Sequence, residues 1–166
     1  SKYITDVKQL KELTQQNRKN NSFWRQMYRY NKKIPKFNTI SEFSKGLKAT
    51  QSKGVFTLNV ISSNLKKELA MLKAIEQNGI HLKFIELGNE VYSENLLTKH
   101  IYPSVDNYID TCLKWSEAIW KEFPEVHIGV VGGDKNRRTR EWNKKLSLSL
   151  QNKFKDKESQ LHFILH

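Results

Sequence analysis

The chain has 166 residues, 37% of them apolar and 28% charged, with a formal net charge of +12 and a mean hydropathy of −0.70. This is the length of one ordinary domain. No run approaches the ~18–20 apolar residues of a membrane span, and Ser1-Lys2-Tyr3 leads into polar sequence rather than the apolar core of a signal peptide. A single cysteine, Cys112, excludes an intramolecular disulfide and a Cys-rich metal knuckle.

The charge is uneven: +10 over residues 1–60, −3 over 61–130 and +5 over 131–166. Basic groups such as Lys32-Lys33 and Arg137-Arg138-Thr139-Arg140 could meet phosphates, sulfates or carboxylates. A solvated surface is the plainer reading of them. Gly132-Gly133 is a lone pair, without the third glycine of a dinucleotide loop, and no zinc spacing or RNA-binding aromatic signature is present. No cofactor and no metal site is therefore expected.

Residues 1–38 read as a basic segment apart. A polar helix over 1–20 carries Val7, Leu10 and Leu13, and a long aromatic loop follows over 21–38. From residue 39 to 166 the pattern is regular. Thr39 or Ser41 caps a helix reaching about Gln51. Val55–Val60 is a short β-rich run. Ser63-Asn64 caps a second helix with Leu65, Leu69, Leu72 and Ile75 on one face, and Asn78-Gly79 ends it through a left-handed turn. Lys83–Glu90 is the second strand. After a loop containing Tyr102-Pro103, a third helix runs from about Val105 to Phe123, with Ile109, Cys112, Leu113, Ser116 and Trp120 along a stripe. Val126–Gly133 is the third strand, Thr139–Lys153 the fourth helix and Leu161–Leu165 the fourth strand.

Strands starting near 55, 83, 126 and 161 are spaced as βα units. Nearly apolar strands alternating with helices predict an α/β domain with a parallel, helix-covered sheet. A doubly wound sheet or part of a (β/α)8 barrel fits; a full barrel takes ~250 residues, so this is about half of one. A chain closing on an apolar strand is expected to be a segment of a longer protein.

In both architectures the functional face lies at the C-terminal ends of the strands. Those ends carry Asn59, Asn89-Glu90, Gly132-Gly133-Asp134 and His166. Glu86 shares the parity of Glu90 within the second strand. A carboxylate among Phe84, Ile85 and Leu87 is costly unless paired, so a satisfied structural role is expected for it. For Glu90 a solvated strand-end carboxylate is the plainer alternative.

Phe84-Ile85-Glu86-Leu87-Gly88-Asn89-Glu90-Val91-Tyr92 resembles the acid/base strand of the clan A retaining glycoside hydrolases, which are (β/α)8 barrels. It is most similar to the α-L-arabinofuranosidases and the heparanase-type β-glucuronidases, with their Glu-x-Gly-Asn-Glu on the fourth barrel strand. On that resemblance the four strands correspond to barrel strands three to six and coverage runs from about residue 21 to 166. The resemblance implies Glu90 as general acid/base and Asn89 as the ligand of the sugar 2-hydroxyl. It implies that Asn59 and His166 shape the subsite. Trp24, Tyr28, Tyr30 and Tyr92 are candidates for stacking on sugar faces. The clan's nucleophile belongs on a seventh strand, beyond this chain; Glu94 is not assigned to that role. The chain alone is thus expected to be inactive, and its open sheet edges predict a homo-oligomer or pairing with the rest of a barrel.

The leading expectation is a fragment of a secreted or periplasmic glycosidase acting on a polysaccharide, an anionic one in view of the basic loop. A non-catalytic carbohydrate-binding or assembly protein is the alternative. A nucleic-acid-binding α/β protein stands third, and the expected partner remains a carbohydrate, with neither nucleic acid nor membrane involved.

Overall fold

The computed structural model describes residues 39–93, 96–133 and 137–166. The elements are α1 (Ile40–Thr50), β1 (Val55–Leu58), α2 (Leu65–Gln77), β2 (Phe84–Leu87), α3 (Leu96–Ile101), α4 (Val105–Glu122), β3 (His127–Gly132), α5 (Arg137–Lys153), a 3-10 turn (Lys155–Lys157) and β4 (Leu161–Leu165). The four strands form one sheet in the order β1-β2-β3-β4, every neighbouring pair parallel. The expected α/β architecture of parallel βα repeats is present. The strand order does not reverse within these four strands, whereas a doubly wound sheet reverses at its switch point. The expected helix over 1–20 and the loop over 21–38 lie outside the described residues.

Local chemistry sets the boundaries. Thr39 Oγ1 accepts from the Glu42 amide at 3.2 Å and Asn64 Oδ1 from the Lys67 amide at 3.1 Å, each capping the helix that follows. Gly79, at φ 74°, turns the chain out of α2, and the Ile80 amide donates back to the Ile75 carbonyl. This is the left-handed helix ending anticipated at Asn78-Gly79. The six-residue helix α3 falls inside what the sequence presents as a loop. It is too short to display a hydrophobic period.

Alternation gives the sheet two unlike faces. Leu58, Ile85, Leu87, Ile128 and Val130 are all buried in the core with Leu72, Tyr108, Trp115, Ile119 and Leu146 from the helices. The other face is mixed: Thr57, Glu86, Gly129 and His162 stand in one register row, Val55, Phe84 and His127 in the row before it, and Val131 and Ile164 in the row after it. Gly129 on that face leaves room for Ile164, whose Cδ1 stands 2.2 Å from where a β-carbon would lie. Val55 on the β1 edge and Leu165 on the β4 edge are 57% and 61% exposed. No helix among the described residues is long and apolar enough to cross a membrane.

His127 and His162 join β3 to β4 by a 2.7 Å Nδ1–Nε2 contact between rings inclined by only 15°. One ring must be a neutral acceptor. Partial desolvation, and then the positive neighbours His162 and Lys83, hold the His127 pKa below its ordinary value, with Glu125 opposing. A depressed histidine pKa means that the folded state favours the neutral ring. Its contribution is present above the ordinary histidine range and is lost as pH falls through the folded-state value. The urea midpoint is therefore expected to drop modestly between pH 7.5 and 5, and His127→Asn to flatten that part of the profile. An unchanged slope in the variant would assign the acid sensitivity elsewhere.

Candidate functional site at the strand ends

β2 stops at Leu87 because the next residues leave extended geometry. Gly88 has φ 90°, and a β-carbon there would meet Val60 Cγ2 and Val91 Cγ1, each at 2.7 Å. Only glycine fits without displacing those side chains. Gly88→Ala is expected to lower stability by about 1–3 kcal/mol; a urea-unfolding change below about 0.5 kcal/mol would show that the turn yields freely. Glu90 follows at φ 45°, a left-handed conformation that costs a non-glycine residue ~1–2 kcal/mol. The turn is held by the Ser93 amide donating to the Glu90 carbonyl at 2.9 Å and by Val91, 1% exposed. Between these anchors Asn89 and Glu90 are displayed to solvent at the C-terminal end of β2.

The C-terminal end of β1 stands beside this turn. Glu68 of α2, 7% exposed, accepts from the Asn59 amide at 3.2 Å. Tyr102 Oη donates to the Val60 carbonyl at 2.8 Å. Thr57, Asn59, Asn89, Glu90, Ser93 and Thr98 then line one groove of about 320 Å³. This is the small end of the ligand-pocket range. A larger groove of about 710 Å³ lies between α2 and α4, but its carboxylate, Glu122, is already paired with Lys73 at 2.9 Å. The carboxylate of the strand-end groove, Glu90, is in no ion pair among the described residues.

Asn59, Asn89 and Glu90 thus share one groove. Asn59 is nevertheless occupied by its own turn. Its Oδ1 accepts from the amides of Ile61 and Ser62 at 3.2 and 2.9 Å, and its Nδ2 donates to Ser62 Oγ at 2.8 Å. Its observed work is to shape the β1 end.

Tyr92 and His166 form a second cluster next to the first. Tyr92 lies against Gly133, where a β-carbon would come within 2.9 Å of its ring, and its hydroxyl donates to the His166 carbonyl at 3.4 Å. His166 Nε2 is 2.9 Å from Glu86 Oε1, and Glu86 Oε2 accepts from Thr57 Oγ1 at 3.0 Å. Glu86 is the satisfied, buried carboxylate expected at that position, 7% exposed. Trp24, Tyr28, Tyr30 and Glu94 lie outside the described residues.

Three contributors are not singled out in the sequence reading. Glu68 had a visible mark: an acidic residue on the same helical face as Leu65, Leu72 and Ile75. Tyr102, in a loop, and Tyr108, in a helix, had none, since nothing in a local sequence pattern distinguishes a packed ring from one whose hydroxyl reaches a strand end. Burial, with Cys112 beside it, pushes the Tyr108 hydroxyl well above its ordinary range. Burial likewise raises the Cys112 thiol, which stays protonated. Among the described residues no group of three or more His, Cys, Asp or Glu is placed to hold a metal ion. Comparison with protein-family models, with curated proteins and with solved structures returns no match.

Proposed function

We propose that this chain is about half of a (β/α)8 catalytic domain of a retaining glycoside hydrolase, with Glu90 as its general acid/base. The observation that carries the reading is the placement of Glu90: a solvent-reached carboxylate on a strained turn at the C-terminal end of a parallel strand, beside Asn89 in a groove. Backbone strain concentrates where geometry serves function. The sequential, all-parallel strand order agrees with a segment of a barrel wall. The exposed edges at Val55 and Leu165 agree with further strands or another copy pairing there.

In this reading Glu90 protonates the glycosidic oxygen as the bond breaks and later takes a proton from the water that resolves the glycosyl-enzyme. Asn89 holds the sugar 2-hydroxyl, a contact that strengthens as positive charge grows at the anomeric carbon. Retention needs a second carboxylate ~5–5.5 Å away. Among the described residues lining the groove Glu90 is the sole carboxylate, and the resemblance assigns the nucleophile to a further strand. The substrate is a polysaccharide, an anionic one on the +12 charge, and the parent protein is a secreted or periplasmic one. The alternative of a carbohydrate-binding protein without turnover is favoured by that same single carboxylate.

The test is to incubate the chain with aryl glycosides and to titrate it with soluble oligosaccharides under NMR. The expected result is no turnover, with shifts confined to the strand-end residues Asn59, Gly88, Asn89, Glu90 and His166. Shifts elsewhere, or none with any sugar, would reject the groove as a saccharide site.

A further inference from the structure

We propose that Glu86 is a positioning residue for this groove: it orients the His166 ring so that the imidazole presents a hydrogen-bond acceptor to a sugar hydroxyl, a role that rests on the saccharide reading above. Glu86 sits on β2, Thr57 on β1 and His166 just past β4, so one carboxylate ties together three of the four strands. Its two oxygens have different partners, Thr57 Oγ1 at 3.0 Å on one and His166 Nε2 at 2.9 Å on the other. An ionised carboxylate only accepts, so the Nε2 atom facing it carries the proton. In the neutral ring the acceptor is then Nδ1. The same arrangement, a carboxylate behind a histidine fixing its tautomer and angle, orients histidines at metal and catalytic centres generally.

Burial separates the two partners' tasks. The Glu86 side chain is 10% exposed and the His166 side chain 26%. The carboxylate is withdrawn from any ligand while the ring keeps an open side. Tyr92, two residues beyond Glu90, donates its hydroxyl to the His166 carbonyl, which ties the end of β4 to the segment that follows the acid/base turn. Thr57 both binds Glu86 and lines the groove. A carboxylate needed only for folding would require neither an exposed histidine partner nor one beyond the adjacent strand, and β2 has β3 between it and β4.

The experiment is long-range ¹H–¹⁵N NMR on the histidine rings of the whole chain, at a pH where His166 is neutral. The expected signature is one tautomer at His166, protonated on Nε2. Glu86→Gln keeps the volume and a carbonyl acceptor and is expected to retain it. Glu86→Leu is expected to give a mixture of tautomers. A wild-type ring protonated on Nδ1, or an unchanged tautomer in Glu86→Leu, would overturn the assignment. The wild-type spectrum decides the first point even if Glu86→Leu does not fold. Titration with methyl α-L-arabinofuranoside and methyl β-D-glucuronide then reads the second half. Binding is expected to weaken about tenfold in Glu86→Leu and less in Glu86→Gln. Equal affinity in all three proteins would confine Glu86 to a structural role. If neither sugar binds the wild type, the saccharide reading fails, and with it the role toward a hydroxyl, while the tautomer still reports whether Glu86 orients the ring.

Discussion

Glu90→Ala, in a protein that joins this chain to the strand bearing the second carboxylate, is expected to lower kcat/KM on glycosides by about 10²–10⁴-fold. That corresponds to roughly 3–5 kcal/mol of transition-state stabilisation. The loss depends on the leaving group. A sugar hydroxyl needs a proton to depart, whereas a dinitrophenolate scarcely does, so poor leaving groups suffer most in the first step. A uniform loss across leaving groups would point to a binding role, and no loss would remove Glu90 from the mechanism. The backbone supplies an independent sign. Glu90 occupies φ 45°, a conformation that asparagine tolerates better than glutamate. Glu90→Asn is therefore expected to unfold at equal or higher urea while losing the same activity. Such opposed changes are the mark of a residue kept for chemistry at the expense of the fold. Loss of stability together with activity would mean that the glutamate side chain supports the turn.

The order of elements was readable because each strand is a short apolar run bounded by a breaker, and α1 and α2 begin at the caps Thr39 and Asn64. β4 lies where the pattern predicts it, at Leu161–Leu165, and the Asn64 cap and Gly79 exit mark α2 correctly. Strand ends were less readable. Expected extensions to Val60 and Glu90 shrink to Leu58 and Leu87, because hydrophobicity continues into the turns: Val60 and Val91 are buried turn residues, not strand residues. Parity also lapses there. Glu86 keeps the face that alternation assigns it, but the left-handed backbone at Gly88 and Glu90 means that the direction of Glu90 is set by the turn. The grouping of Asn59 with Asn89 and Glu90 follows from parallel strand ends alone. The division of labour does not: Asn59 spends its amide on its own turn, and Glu86 reaches His166 from a strand two removed. Those depend on side-chain distances across the sheet, which no one-dimensional pattern encodes.

Tyr108 is where packing and site meet, and Tyr108→Phe is expected to cost about 3 kcal/mol of stability. The ring stays, with its edge contact to Tyr102 and its near-parallel contact to Trp142 at 5.4 and 5.7 Å between centroids. Only the hydroxyl is lost. It donates to the Leu87 carbonyl at 2.6 Å and accepts from the Val131 amide at 3.0 Å. Both partners are backbone groups at the C-terminal ends of neighbouring strands, and the side chain between them is fully buried. Phenylalanine leaves a carbonyl and an N–H without a partner where water cannot readily replace the hydroxyl, at ~1–3 kcal/mol for each buried group. The consequence passes directly to function. Leu87 is the last residue of β2, and the turn displaying Glu90 begins at the next position. Faster hydrogen exchange is expected at the Val131 and Gly88 amides, while amides in α1, which does not touch the hydroxyl, keep their rates. A unfolding change below about 0.5 kcal/mol, or exchange that rises equally everywhere, would show that α4 supports the strand ends by its apolar face alone.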